Sequence, residues 1–183
     1  CQENFLDRPP LDQIGSDSYW KTPNDLENYV LQFYPQLPSH GTGAGMPLED
    51  ADSDNIVLAV ANTVMNGQRP ITNGNWMSDW SKIRSINIFF DNIESVESDL
   101  SNYQQYLGEA HFFRAWFYFD LVRKYGDVPW YSSALLPDSE NLYKPRDPRT
   151  LVIDHILNDL DHAIQYLSTK SSVGNVRVNK ETA

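Results

Sequence analysis

Four stretches of this chain carry apolar residues at the three- and four-residue steps of a helix. The strongest runs from Tyr103 to Tyr125. Tyr103, Tyr106, Leu107, Ala110, Phe113, Phe117 and Leu121 form one stripe, Phe112, Ala115, Phe119 and Val122 cover the opposite side, and Trp116 sits between. A helix that is apolar nearly all round has to be enclosed by other elements, so this one is predicted to be the centre of a helical stack. Tyr125-Gly126 supplies its stop and Pro129 prevents resumption. Ahead of it, Trp80, Ile83, Ile86, Phe89, Phe90 and Ile93 predict a helix from Trp76 to about Val96. Leu26, Tyr29, Val30 and Phe33 predict another, opened by a Thr cap, a Pro and an acid in Thr22-Pro23-Asn24-Asp25 and ended by Pro35 and Pro38. After it, Asp147-Pro148 opens a helix with the apolar set Val152, Ile153, Ile156, Leu157, Leu160, Ala163, Ile164 and Leu167. That set leaves His155, Asp159 and His162 facing solvent.

The remaining stretches lack this period. Residues 1–18 carry Pro9-Pro10 and read as an irregular lead, and residues 170–178 as a polar connection with Gly174. From Ser39 to Asn75 the chain is rich in Gly, Asn, Asp and Pro, with a short apolar run at Ile56–Val60. A connection so long with little regular structure is usually functional or disordered. Asn179 through Ala183 has a cap residue and then helix formers, so a further helix is expected to start there. The expected protein is mainly α: helices joined by short loops pack as antiparallel pairs, with one long irregular insertion at about 39–75. Residues 1–183 are expected to form a single helical region that is truncated before its C-terminal part, because the 148–167 helix has no sequence partner after it.

Composition narrows the functions open to such a fold. Fourteen basic against 25 acidic residues leave a net charge of −11, which argues against nucleic acid and against an anionic lipid surface. A neutral ligand such as a sugar is compatible. No run approaches the roughly 18 apolar residues that span a membrane. The only cysteine is Cys1, so no intramolecular disulfide can form. Cys1 is either a cloning scar or the lipid-acceptor residue left when a signal peptide is removed.

Candidate chemistry is sparse. Glu109 and Asp120 lie on one side of the central helix, but eleven residues separate them by about 16 Å, beyond the ~5–9.5 Å of a glycosidase pair. Asp120 instead suits a surface pair with Lys124. Arg114 falls on the apolar stripe, so its guanidinium needs a buried partner, expected to be a carboxylate from another helix. His155, Asp159 and His162 share a helical face and could collect a metal. A solvated face without a fourth ligand is the simpler reading. Asp50 to Asn55 resembles the first half of a calcium loop, yet Asn55 replaces the turn glycine and Ala61 the bidentate glutamate. Phosphate-loop, nucleophile-elbow and zincin motifs are absent. No cofactor, no metal and no catalytic residue is expected.

One set of residues carries a resemblance. Glu109-Ala110, Arg114-Ala115, Tyr118-Phe119, Leu121-Val122 and Tyr125-Gly126-Asp127-Val128-Pro129 resemble the helix and exit turn of the SusD/RagB family. Cys1 with Phe5-Leu6-Asp7-Arg8-Pro9 resembles that family's mature N-terminus, and Ser18-Tyr19-Trp20-Lys21-Thr22 through Tyr34 its first helix. Trp76, Ile83-Arg84, Asn87 and Asn92-Ile93 resemble the helix before the central one, with Trp80 where the family usually has Tyr. The resemblance implies tetratricopeptide-like helix pairs, although the units here are far from a clean 34-residue period. It implies a non-catalytic, surface-exposed outer-membrane lipoprotein anchored through Cys1. Its partners would be a glycan ligand and a SusC-like TonB-dependent transporter, with no nucleic acid and membrane contact through the N-terminal lipid alone.

Sugars are bound by aromatic platforms rimmed with planar polar groups. The 39–76 segment holds such groups close together in sequence, and Asp52, Asp54, Arg69, Asn75 and Trp76 are the expected ligand contacts. Backbone turn formation is the competing role for the acids and amides, and helix packing for Trp76. A tetratricopeptide-like interaction scaffold, a peptide-binding member of the same family and a glycosidase fragment are the alternatives.

Overall fold

The structure, a computed structural model, describes residues 19–37, 67, 75–174 and 176–183. The chain divides into two compact units, Cys1–Gln32 with Asp79–Ala183, and Phe33–Ser78. Five helices are described: α1 Pro23–Leu31, α2 Trp76–Asn92, α3 Gln104–Tyr125, α4 Arg149–Tyr166 and the single turn α5 Lys170–Val173. Among the described residues the one β-bridge joins Val128 to Asp147. The expected mainly α fold is present. The irregular lead and nearly all of the 39–75 insertion, including Asp50 to Asn55 and Ile56–Val60, lie outside the described residues.

Local signals set the helix ends. At α1 the Asp25 carboxylate accepts the Thr22 amide at 2.8 Å and the Thr22 hydroxyl at 2.7 Å. At the end of α3, Gly126 takes φ +74°, a conformation natural to glycine, and donates its amide to the Val122 carbonyl at 2.9 Å.

The larger unit is organised around α3. Tyr106 on α3 donates to Glu27 of α1 at 2.9 Å, while Tyr29 of α1 donates to the Ser85 carbonyl of α2 at 2.9 Å. Helices α2 and α3 run antiparallel: Asp79 meets Lys124 near one end, and Phe90 meets His111 near the other. Helices α3 and α4 are antiparallel as well, with Arg114 on Asp159 and Gly108 against Leu167. A Cβ at Gly108 would lie 2.9 Å from both the backbone nitrogen and Cγ of Leu167, so the missing side chain is what lets the chain pass so closely. Ile83, Ile86, Phe89, Phe113, Leu121, Val152 and Ala163 fill the core between these helices.

Three expectations need correction. Helix α3 is not enclosed throughout, since Phe119 is about half exposed. More consequentially, α4 is rotated from its predicted face. Asp159 is 1% exposed, whereas Leu157 is 54% and Ile164 45% exposed. The His155, Asp159 and His162 side turns inward because α3 presents Arg114 and His111 there, and a paired carboxylate can be buried at lower cost than a guanidinium left alone. Val152, Ile156, Ala163 and Leu167 keep their predicted buried places. At the C-terminal end, residues 179–183 make a turn rather than an assigned helix, with the Thr182 and Ala183 amides both bonded to the Asn179 carbonyl.

Candidate functional site

Of the residues expected to touch ligand, Asp52, Asp54 and Arg69 lie outside the described residues, as does Cys1. Asn75 and Trp76 are described, in the smaller unit. Asn75 is exposed and its carbonyl accepts the Ser78 hydroxyl at 2.9 Å. Trp76, half-buried, is the first residue of α2.

The larger unit buries three charge networks. In the first, Arg114 grips Asp159 with two parallel hydrogen bonds, Nε to Oδ2 and NH2 to Oδ1, each 2.7 Å. His111 Nδ1 lies 2.8 Å from the same Oδ1. Phe90 of α2 lies under the guanidinium, 4.0 Å from its centre. Burial pushes the Asp159 carboxyl up, but hydrogen bonds from Arg114 and His111 outweigh it and hold the carboxyl below its ordinary range. For His111 burial wins, and its imidazole is held below the usual value despite Asp159. Asp159 therefore has both oxygens committed, and the α4 face expected to be solvated is an ion-pair joint. Among the described residues no group of three His, Cys, Asp or Glu side chains is placed to hold a metal.

The second network is centred on Glu109, which is fully buried. Arg177 clasps it through Nε and NH2, each at 2.8 Å, and extends NH1 to Glu27 at 2.6 Å. Gln105 donates to Glu109 at 2.7 Å and to the Val178 carbonyl at 2.9 Å, and accepts the Ser168 amide at 2.8 Å. Nothing in the sequence around Arg177 signals this role, because it sits in a polar connection. In the third, Lys124 bridges Asp120 at 2.5 Å, as expected, and also buried Asp79 at 3.2 Å.

A fourth set of contacts mounts the loop between α3 and α4. Asp147 accepts the Trp130 amide and Lys144 Nζ, each at 2.7 Å, and Lys144 also donates to the Trp130 carbonyl at 2.7 Å. One face of α2 reads the backbone of residues 131–135. Asn87 donates to the carbonyls of Tyr131 and Ser133 at 2.9 and 3.1 Å, Arg84 donates to that of Leu135, and Asp91 accepts the Ala134 amide at 2.8 Å. Tyr118 accepts the Tyr131 amide at 2.7 Å, and burial pushes its phenol well above the usual range. Trp130, half-buried, packs against the rings of Tyr118 at 4.1 Å and His155 at 4.6 Å between ring centres, so its indole is engaged with the scaffold.

The larger unit is thus a helical scaffold in which buried charges fasten one element to another. Comparison with known proteins specifies the class further. A SusD-like family model, described as "Starch-binding associating with outer membrane", matches residues 5–183, and the chain belongs to that family. A SusD-like protein of Formosa agariphila is 29% identical over 178 residues, taking in 93% of this chain and 35% of that one. Among solved structures, a SusD-like protein from Bacteroides fragilis superposes with a TM-score of 0.77 at 27% identity, over 96% of this chain and 36% of its own. A laminarin-binding SusD-like protein shares the fold, with a TM-score of 0.67 at 18% identity over 87% of this chain and 38% of that one. The chain spans about a third of the length of these relatives.

Proposed function

We propose that this chain is the N-terminal helical region (residues 1–183) of a non-catalytic, cell-surface glycan-binding protein that passes oligosaccharide to a SusC-like TonB-dependent transporter and is held at the outer membrane by a lipid on Cys1. The observation that carries the reading is the family match across residues 5–183. A net charge of −11 supports a neutral glycan over an anionic one. The laminarin-binding relative offers a neutral polysaccharide as a first probe. Asp52, Asp54, Arg69, Asn75 and Trp76 are the proposed contacts, with Trp76 as platform and the others at its rim.

Affinity electrophoresis of the full-length protein in gels holding starch, laminarin or polygalacturonate tests this. Retardation by a neutral glycan is expected, together with a loss of retardation in Trp76→Ala. Migration unaffected by any polysaccharide would reject glycan binding, and retardation unchanged in Trp76→Ala would reject the proposed contacts.

A further inference from the structure

The loop between α3 and α4 displays a group of side chains that the scaffold does not use. A single 3₁₀ turn, Glu140–Tyr143, lies near its apex. Tyr143 is 89% exposed, the most exposed of the described large apolar side chains. Among the described residues, the Tyr143 ring and hydroxyl, the Glu140 carboxylate and the Asn141 side-chain amide form no hydrogen bond, ion pair or ring contact, and all three residues are exposed. Their neighbours are fully engaged. Lys144 is spent on Asp147 and the Trp130 carbonyl, and Arg146 on the carbonyls of Tyr125 and Asp127.

Isolated exposed aromatics are ordinary on protein surfaces, so the mounting matters. Tyr131 donates its hydroxyl to the Asn141 carbonyl at 3.0 Å, inside the turn itself. The ends of the loop are joined by the Val128 and Asp147 bridge, and the backbone of residues 131–135 is held by Arg84, Asn87 and Asp91. The turn is therefore ordered before any ligand arrives, which lowers the entropy a ligand must overcome. In a 3₁₀ turn the side chains at i and i+3 eclipse with a rise of about 2 Å per residue. Glu140 and Tyr143 consequently share one face, roughly 6 Å apart along the axis, and Asn141 projects about a third of a turn round from them at its rim.

We propose that this turn is a glycan contact additional to those proposed above. The Tyr143 ring serves as platform for the apolar face of one neutral hexose, and Glu140 and Asn141 meet its hydroxyls. A carboxylate accepts two adjacent hydroxyl protons and an amide both donates and accepts, which is the complement of a vicinal diol. Asp138 and Glu140, with the nearby cations engaged elsewhere, disfavour an anionic sugar. The inference rests on the glycan-binding reading above and deepens it.

The test is a titration of the full-length protein with laminarin, soluble starch and polygalacturonate, followed by calorimetry, with thermal melting measured alongside. Tyr143→Ala is expected to weaken neutral-glycan binding by roughly two- to tenfold, the range of an aromatic contact, with an unchanged melting curve. Tyr143→Phe should retain the affinity, and Glu140→Gln should weaken it less than Tyr143→Ala does. Wild-type binding that Tyr143→Ala leaves intact would overturn this site and spare the broader reading. Wild-type protein that binds none of the three would overturn both. Preference for polygalacturonate would overturn the neutral-ligand assignment.

Discussion

Arg114 and Asp159 show how much a single buried pair decides. A guanidinium and a carboxylate with doubled hydrogen bonds at 2.7 Å hold α3 to α4, and either one left alone would be an unpaired buried charge. Asp159→Asn is expected to cost about 3–5 kcal/mol in urea unfolding, while joint replacement by Met at 114 and Leu at 159 restores much of the loss. His111 adds a pH dependence. Its folded-state pKa lies below the ordinary 6.5, so the unfolded chain binds the proton more readily. Its contribution is full above pH 6.5 and is lost as pH falls through that value toward the lowered one. Asp159, also lowered, adds a second loss only below its ordinary 3.8. The urea midpoint should therefore drop between pH 7 and 5, and His111→Asn, which keeps a donor near Asp159, should flatten that drop. An equal drop in the variant would place the titration elsewhere.

Among the elements, α4 is the informative one. Its apolar residues occupy more of the helix circumference than one neighbour can cover, so periodicity alone admits two rotations. The one adopted buries Val152, Ile156 and Ala163 and leaves Leu157 and Ile164 open. Ile156→Ala is therefore expected to cost about 2–5 kcal/mol. Leu157→Glu, a substitution that the predicted face would forbid, should change stability by no more than about 0.5 kcal/mol. Chemical denaturation of both variants in the 183-residue chain distinguishes the rotations, since the predicted one demands comparable losses. The start of α1 and the stop of α3 were legible in sequence because each is a local event, whereas α5 lies in a stretch that reads as a polar connection and the helix expected to start at Asn179 is a turn. Thr22 with Asp25 and Tyr125 with Gly126 act within four residues of the ends they set.

For the whole molecule, Arg177 joins positions far apart in the chain, Glu109 on α3 and Glu27 on α1. Removing it leaves Glu109 buried without its counter-ion. Arg177→Met should destabilise the protein by about 3–5 kcal/mol, and adding Glu109→Gln to it should cost little more, because the two act as one unit. Additive losses in that double-mutant cycle would show that the clasp seen here does not couple them.

The helical class, the central place of the 104–125 helix and the need of Arg114 for a carboxylate are all readable from the order of residues alone. Each follows from spacing within one segment or from the cost of burying a charge. The sequence also carried the family, through an ordered set of short motifs. Folding settles which carboxylate answers Arg114, which side of α4 goes inward, that Glu109 belongs to Arg177, and that the mounted turn at Glu140–Tyr143 leaves Tyr143 exposed. These depend on partners that meet only after folding, and the chain between them holds no period, cap or turn signal that would announce the meeting.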